Sequence, residues 1–360
     1  YAMFRGAIFD PEANSFVRQI KPITNTLLYA TPLIIGGLGL AFGFRAGLFN
    51  IGGKGQVIFG ALAAVWVGFN LHLPPVLHTV VALLAAVVAG ALYAGIAGLL
   101  KARTGANEVI VTIMLNSIAA LTLGYVLAQK SWQVPGSNQP QTPDVADTAA
   151  FLPILPSPFK LHAGIIVAFL AVVVFWWILD RSTLGFQVRA VGANPAAART
   201  AGISVEKITT ITMMISGAFM GLVGANEALG TVGYVSRDVA GSLGFDAITV
   251  ALLGRNKPLG TMFAGLLFGA FKAGGYTMQP KGVPIDMILI LQSVIVLLIA
   301  APALVRWLFR LPKESEKSLR AELATLGIDD EAPALVTPTT SKVAETAVDA
   351  TAADAEGESR

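Results

Sequence analysis

Apolar residues in this chain come in long unbroken runs, with neither the period-two alternation of a half-buried strand nor the narrow apolar stripe of a surface helix. A helix needs roughly 20 such residues to cross a hydrocarbon core about 30 Å thick. Runs of that order occupy residues 23–44, 48–70, 76–100, 107–129, 161–180, 208–230, 237–255, 258–279 and 285–308. The pattern predicts an all-α, polytopic membrane helix bundle of nine spans. Polar punctuation sets its orientation, because Lys and Arg concentrate in cytoplasmic loops. Arg45, Lys101, Arg103, Arg181, Arg189, Arg199, Lys207, Arg255, Lys257, Arg306 and Arg310 fall in alternate connections. The opposite connections suit the outside: "NLHLPPVLH" has no acidic or permanently basic group, and 130–160 carries six prolines with two Lys balanced by two Asp.

This layout gives an external segment at 1–22, a transmembrane domain at 23–311 with an external loop at 130–160 and a cytoplasmic loop at 181–207, and a cytoplasmic tail at 312–360. The first residue is Tyr1 and no charged n-region precedes the first run, so a tenth, N-terminal helix is expected to be missing. Two spans read as broken helices. One opens with "RAGLFNIGGKGQ" and the other with "SRDVAGSLGFDAITVALLG", where glycines and Asp246 interrupt the apolar run. Freed backbone groups are tolerated inside a membrane only where they are buried or line a cavity, so paired breaks point to a solute path. An offset of 194 residues matches Ala46 with Ala240, Gly47 with Gly241 and Gly60 with Gly254, which suggests an inverted repeat.

Composition agrees: of 360 residues, 54% are hydrophobic and 13% charged, and mean hydropathy is +0.68, against about 25% charged in a soluble domain. The 37 glycines suit close packing of membrane helices. There is no cysteine, and His72, His78 and His162 have no ligand spacing, which excludes disulfides and thiolate metal sites and gives no metal site to expect. Residues 312–360 hold 11 of the 22 acidic and 5 of the 25 basic residues, so a net +3 divides into a body of +9 and a tail of −6. The basic body follows from cytoplasmic loops and is not read as nucleic-acid binding. The tail, poor in large apolar residues, is expected to be disordered.

Candidate chemistry begins with "GLFNIGGKGQ" at 47–56, which approaches the phosphate-binding pattern G-x-x-x-x-G-K-[ST]. Leu48 stands where the first glycine is needed and Gly55 follows Lys54 where Ser or Thr would hold magnesium, so the glycines are read as a helix break. In the cytoplasmic loop, Asn194 is placed as an N-cap and Pro195 at the first helical position; Ala196, Ala197, Ala198 and Arg199 favour helix, and Gly202 stops it. This short capped helix either docks into a groove of a partner or merely joins two spans. Polar residues within spans are the default candidates for a solute path: Asn50, Gln56, Asn107, Glu108, Thr112, Asn116, Glu227 and Asp246. Glu108, Thr112 and Asn116 share one helix face, which would contact a solute or bond neighbouring helices. Lys272 and Asp286 read as structural, pairing with each other or reaching an interface. Phe42, Phe44, Phe49, Phe59, Trp66 and Phe245 are available to stack on a base or face lipid, and "FWWILD" at 175–180 reads as an interfacial aromatic belt.

Four stretches, "GLFNIGGKGQ", "NEVIVTIMLNSIA" at 107–119, "RAVGANPAAARTAGI" at 189–203 and "GSLGFDAITVALLG" at 241–254, closely resemble the permease subunits of bacterial ATP-binding cassette importers for nucleosides and simple sugars. The resemblance spans residues 20 to 305 and is strongest to the longer permease of nucleoside systems. It implies a coupling helix in the loop from Arg189, with Asn194, Pro195, Ala196, Ala197, Arg199, Ala201 and Gly202, that sits in a cleft of a separate ATP-binding subunit. It also implies a second permease as heterodimer partner, an external substrate-binding lipoprotein, and a place in the bacterial cell membrane. ATP and magnesium would lie on the partner subunit, with no cofactor and no catalytic residue on this chain. Lys54 departs from the family, which commonly has an acidic residue there. The competing readings are a stand-alone secondary transporter or channel, which needs midspan carboxylates for a coupling ion, and a membrane enzyme. For the latter no H-E-x-x-H, paired-aspartate or G-x-S-x-G pattern is present.

Overall fold

The computed structural model describes residues 2–11, 13, 15–134, 136, 139–279, 282, 284 and 286–300. The tail expected at 312–360, and the end of the ninth span beyond residue 300, lie outside the described residues. Within them the chain is a helical bundle. A short helix α1 (Ala2–Ala7) precedes α2 (Phe16–Arg45), α3 (Gly53–Asn70), α4 (Leu77–Thr104), α5 (Glu108–Ala128) and α6 (Gly164–Trp176). Two helices in the loop 181–207 follow, α7 (Thr183–Ala193) and α8 (Pro195–Thr200), then α9 (Val205–Asn226), α10 (Leu243–Leu253), α11 (Pro258–Met278) and α12 (Asp286–Ala300). Single π-helical turns extend α6 over Trp177–Arg181 and α9 over Glu227–Thr231.

Among the described residues five helices are long and apolar enough to cross a membrane: Phe16–Arg45, Leu77–Thr104, Glu108–Ala128, Gly164–Arg181 and Val205–Thr231. The other expected spans are helical but shorter or more polar, for definite reasons. The span expected at 48–70 begins its helix only at Gly53, because 47–52 run irregularly. The span expected at 237–255 is helical only over Leu243–Leu253, since Gly241 is left-handed at φ +40° and 237–242 form turns. The first span starts earlier than 23, at Phe16, so most of the expected external segment 1–22 is helix: Arg18 and Lys21 stop a hydropathy run but not a helix, because long basic side chains reach water from an apolar surface.

α2 is the central mast, with 83% of its most apolar window buried, whereas α4 and α5 are peripheral at 33% and 22%. Glycine sets how closely the helices meet. A methyl group on Gly60 or Gly90 would collide with the backbone of Gly221, one on Gly217 with the carbonyl of Gly90, and one on Gly224 with the carbonyl of Val57. α3, α4 and α9 thus pack backbone to backbone, the approach that small residues permit in membranes.

The loop 130–160, expected outside, folds back onto the bundle. Thr142 and Val235 exchange two bonds, Thr142 N to Val235 O at 3.0 Å and Val235 N to Thr142 Oγ1 at 2.9 Å. Phe151 N donates to Leu229 O at 2.9 Å, and Trp132 packs edge-on to Phe69 at 5.6 Å. His78, fully buried, meets Thr148 Oγ1 at 2.8 Å through Nδ1 and Val67 O at 3.0 Å through Nε2, so it is a structural tie.

Candidate functional site

Helix α2 ends in a Schellman motif. Gly47, left-handed at φ +71°, donates to Phe44 O at 3.1 Å, and Leu48 N reaches back to Gly43 O at 3.0 Å. The chain then re-enters the bundle as an irregular strap, 48–52, whose backbone groups need partners. The predicted polar residues supply them. Asn50 and Gln56 pair amide to amide, Nδ2 to Oε1 and Nε2 to Oδ1, both at 3.0 Å, while Asn50 Nδ2 also donates to Ser216 Oγ at 2.9 Å. Asn50 Oδ1 accepts from Gly52 N at 2.9 Å.

From the other side α5 grips the same strap. Thr112 Oγ1 accepts from Ile51 N at 3.3 Å, Asn116 Nδ2 donates to Ile51 O at 2.8 Å, and Asn116 Oδ1 accepts from Gly55 N at 2.8 Å. Glu108, paired with Lys101 at 2.6 Å, lies 3.5 Å from Phe49 N. Asn107 caps α5, accepting from Val109 N at 2.9 Å and Ile110 N at 3.4 Å. The structure thus gathers six of the eight predicted path residues at one break, with Asn50, Gln56, Thr112 and Asn116 acting as braces.

The second break holds Asp246 near the start of α10. Its carboxylate accepts from Ser242 Oγ at 2.7 Å and pairs with Lys272 of α11 at 2.6 Å, with both side chains largely buried. Lys272 therefore takes Asp246, where the sequence offered Asp286 or an interface. Glu227 stands apart on the π turn of α9, bonded by Thr231 at 3.5 Å and within electrostatic reach of Lys272. The two breaks touch: a methyl group on Gly53 would lie 3.2 Å from Gly244 Cα, and one on Gly244 would lie 2.5 Å from Lys54 N. The starts of α3 and α10 therefore meet, α10 running 11 residues onward from there and α3 18 residues, about 16 Å and about 27 Å. Phe49 and Phe245 beside it are exposed, and Phe49 packs on Phe44 at 4.9 Å. Phe42 by contrast is buried against Phe175, and Phe59 stacks on Tyr93 at 4.0 Å.

In the loop 181–207 α8 forms as its caps dictate. Asn194 Oδ1 accepts from Ala196 N at 3.0 Å and Ala197 N at 3.1 Å. Gly202 is left-handed at φ +82°, donates to Arg199 O at 3.0 Å, and Ile203 N closes on Ala198 O at 3.0 Å, a second Schellman motif. Pro195, Ala196, Ala197, Arg199 and Ala201 are exposed, Arg199 paired with Glu206 at 3.0 Å, and only Ala198 turns inward. Arg189 is not on α8: it lies on α7, where it bonds the Leu179 carbonyl and lies 3.5 Å from Asp180. Helix α7 itself was missed, although Ser182 Oγ caps it at Gly185 N, 3.1 Å, and a Ser before an apolar-periodic run was there to read. Among the described residues no cluster of three potential metal ligands occurs.

Residues 23–300 match the family described as branched-chain amino acid transport system, permease component. The chain belongs to this permease family. It is 42% identical over 82% of its length to a guanosine ABC transporter permease protein of Bacillus subtilis, covering 85% of that protein. It is similar to a glucose ABC transporter permease protein of Haloferax volcanii, 37% over 76% of this chain and 75% of the relative. A nucleoside ABC transporter permease protein of Lactococcus lactis shares 33% over 86% of both chains. No solved structure matches. This permease is therefore a multi-pass membrane subunit of an ABC transporter, and its family transports rather than catalyses.

Proposed function

We propose that this permease forms the translocation path of a nucleoside importer, with a second permease as partner and with ATP and magnesium bound by a separate subunit. The names of the guanosine and nucleoside relatives support that substrate class. The glucose relative favours a simple sugar as the second reading. An external binding lipoprotein delivers the solute, the cytoplasmic face is the one that carries Arg45, Arg199 and Arg255, and the membrane is that of a bacterial cell.

The observation that carries this reading is the meeting of two broken helices at Gly53 and Gly244 inside the bundle. Half-helices that start within a membrane aim their N-terminal dipoles at a cavity. The path passes this point, with Phe49 and Phe245 offering rings to a base. Asn50, Gln56, Thr112 and Asn116 hold the strap in place; Asn107, Glu108, Glu227 and Asp246 supply the polar character of the route. α8 is the coupling helix, its exposed alanine face small enough to enter a groove of the ATP-binding subunit.

Replacing residues 195–201 with a Gly/Ser linker should abolish ATP-dependent uptake in proteoliposomes while insertion and assembly persist; undiminished uptake would overturn the coupling role. With the binding protein present, nucleosides should stimulate the ATPase of the complex more than glucose or pentoses. The reverse order would establish the sugar reading.

A further inference from the structure

The coupling loop and both broken helices converge on one small junction. α8 has no slack behind it, because Asn194 is at once the last cap of α7, bonded to Ala190 O at 3.1 Å, and the first cap of α8. α7 is in turn clamped at its start, where Gly185 abuts the Ile178 and Leu179 carbonyls and Arg189 bonds the Leu179 carbonyl. Its far end rests on the end of α2. A methyl group on Gly192 would collide with the Arg45 carbonyl and lie 3.0 Å from Ala46 Cα, and one on Gly47 would lie 3.7 Å from Gly192 O. Ala46 and Gly47 are the root of the first break.

From the same residue the chain reaches the far end of α10, the helix that begins at the second break. Arg45 Nε donates to Asn256 O at 2.9 Å. Asn256 closes α10 in a third Schellman motif, its N–H on Ala251 O at 3.0 Å and Arg255 N on Leu252 O at 3.0 Å. Arg255 and Asn256 are both left-handed, at φ 53° and 54°, a conformation that costs a non-glycine residue energy. Asn256 Oδ1 is buried without a hydrogen-bond partner among the described residues, which leaves a second acceptor beside the one Arg45 already uses.

We propose that Arg45, Gly192 and Asn256 are positioning residues for transport: a junction that passes one displacement of α8 to both half-helices, through Gly192 to the α2–α3 strap and through Arg45 to α10. The proposal rests on the assignment of α8 as the coupling helix. Rigid linkage is its physical content. Backbone-on-backbone contact at Gly192 has no side chain to absorb a shift, and the Arg45–Asn256 hydrogen bond fixes the end of α10 to α2, which also packs on it where Gly36 meets Ala247 and Gly37 meets Val250.

Because the chain has no cysteine, single cysteines F49C and F245C report on the two breaks by maleimide labelling in the complete transporter, with and without ATP and vanadate. In the otherwise unaltered chain both sites should change labelling rate with nucleotide by about fivefold or more, the lower end of ordinary allosteric coupling. R45Q should remove the change at residue 245 and keep it at 49, whereas G192V should remove both; R45K, which retains a donor, should restore part of the response at 245. A general loss of stability would dull both reporters together under R45Q and would overturn the proposal, as would an unaltered response at 245. If G192V does not assemble, R45Q decides alone. No nucleotide response at either site in the unaltered chain would refute the coupling reading itself, as would uptake that survives the α8 linker; a failure confined to R45Q refutes only the junction.

Discussion

Asn50 and Gln56 show what a polar residue inside a membrane span can be for. Each satisfies the other, and both are about 1% exposed, so neither presents a free group to a solute. Their contribution is the shape of the strap, and its energetics are asymmetric. Asn50→Leu strands Gln56, Ser216 Oγ and the Gly52 N–H, and leaving a buried polar group unpaired costs about 1–3 kcal/mol. The double change Asn50→Leu with Gln56→Leu removes both halves of the amide pair. Thermal unfolding in detergent should therefore show a larger drop for Asn50→Leu than for the double variant; equal or additive losses would mean the pair is not the unit. The sequence displayed these residues as candidates but not their role, because the bond from Asn50 to Ser216 spans 166 residues and exists only once α9 is in place. Caps were legible for the opposite reason. Asn194 and Gly202 bond within a few residues of themselves, so local spacing is enough to recognise them.

At the scale of elements, the helices that hydropathy misjudged are those whose limits are set by backbone conformation. The run through 237–255 shows a break but not how much helix it removes: with Gly241 left-handed, α10 starts only at Leu243. α7 is too amphipathic and too short to register as a span, yet it is the element that joins α8 to the rest. The matched glycines at offset 194, Gly47 and Gly241, are both left-handed and both precede a half-helix, a likeness of conformation beyond that of letters. α8 depends on its caps, since six residues are too few for helix to persist alone in water. Asn194→Ala removes the acceptor for two N–H groups and should cost about 1 kcal/mol. Faster hydrogen exchange at Ala196, Ala197 and Ala198, with uptake reduced but not abolished, is the expected result, and Asn194→Asp should recover it.

For the whole molecule, composition announced a glycine-rich bundle, and packing decides which glycines matter. Gly124, with open space around it, and Gly221, wedged against Ala86, Gly90 and Gly60, are indistinguishable in the sequence. Gly221→Leu should therefore prevent assembly of α3, α4 and α9, seen as loss of monodisperse protein, whereas Gly124→Leu should be nearly silent. α5 presents an exposed apolar face, with Ile110, Met114, Leu121 and Tyr125.

The glycine seam has a consequence for traffic through the protein. Helices whose main chains touch leave no gap for a hydrated solute, and their mutual fit cannot be loosened by swinging a side chain aside. α3, α4 and α9 form a fixed wall. Main chain also touches main chain where Gly53 meets Gly244, so that point is shut as well, and a solute crosses there only when the start of α10 draws away from α3.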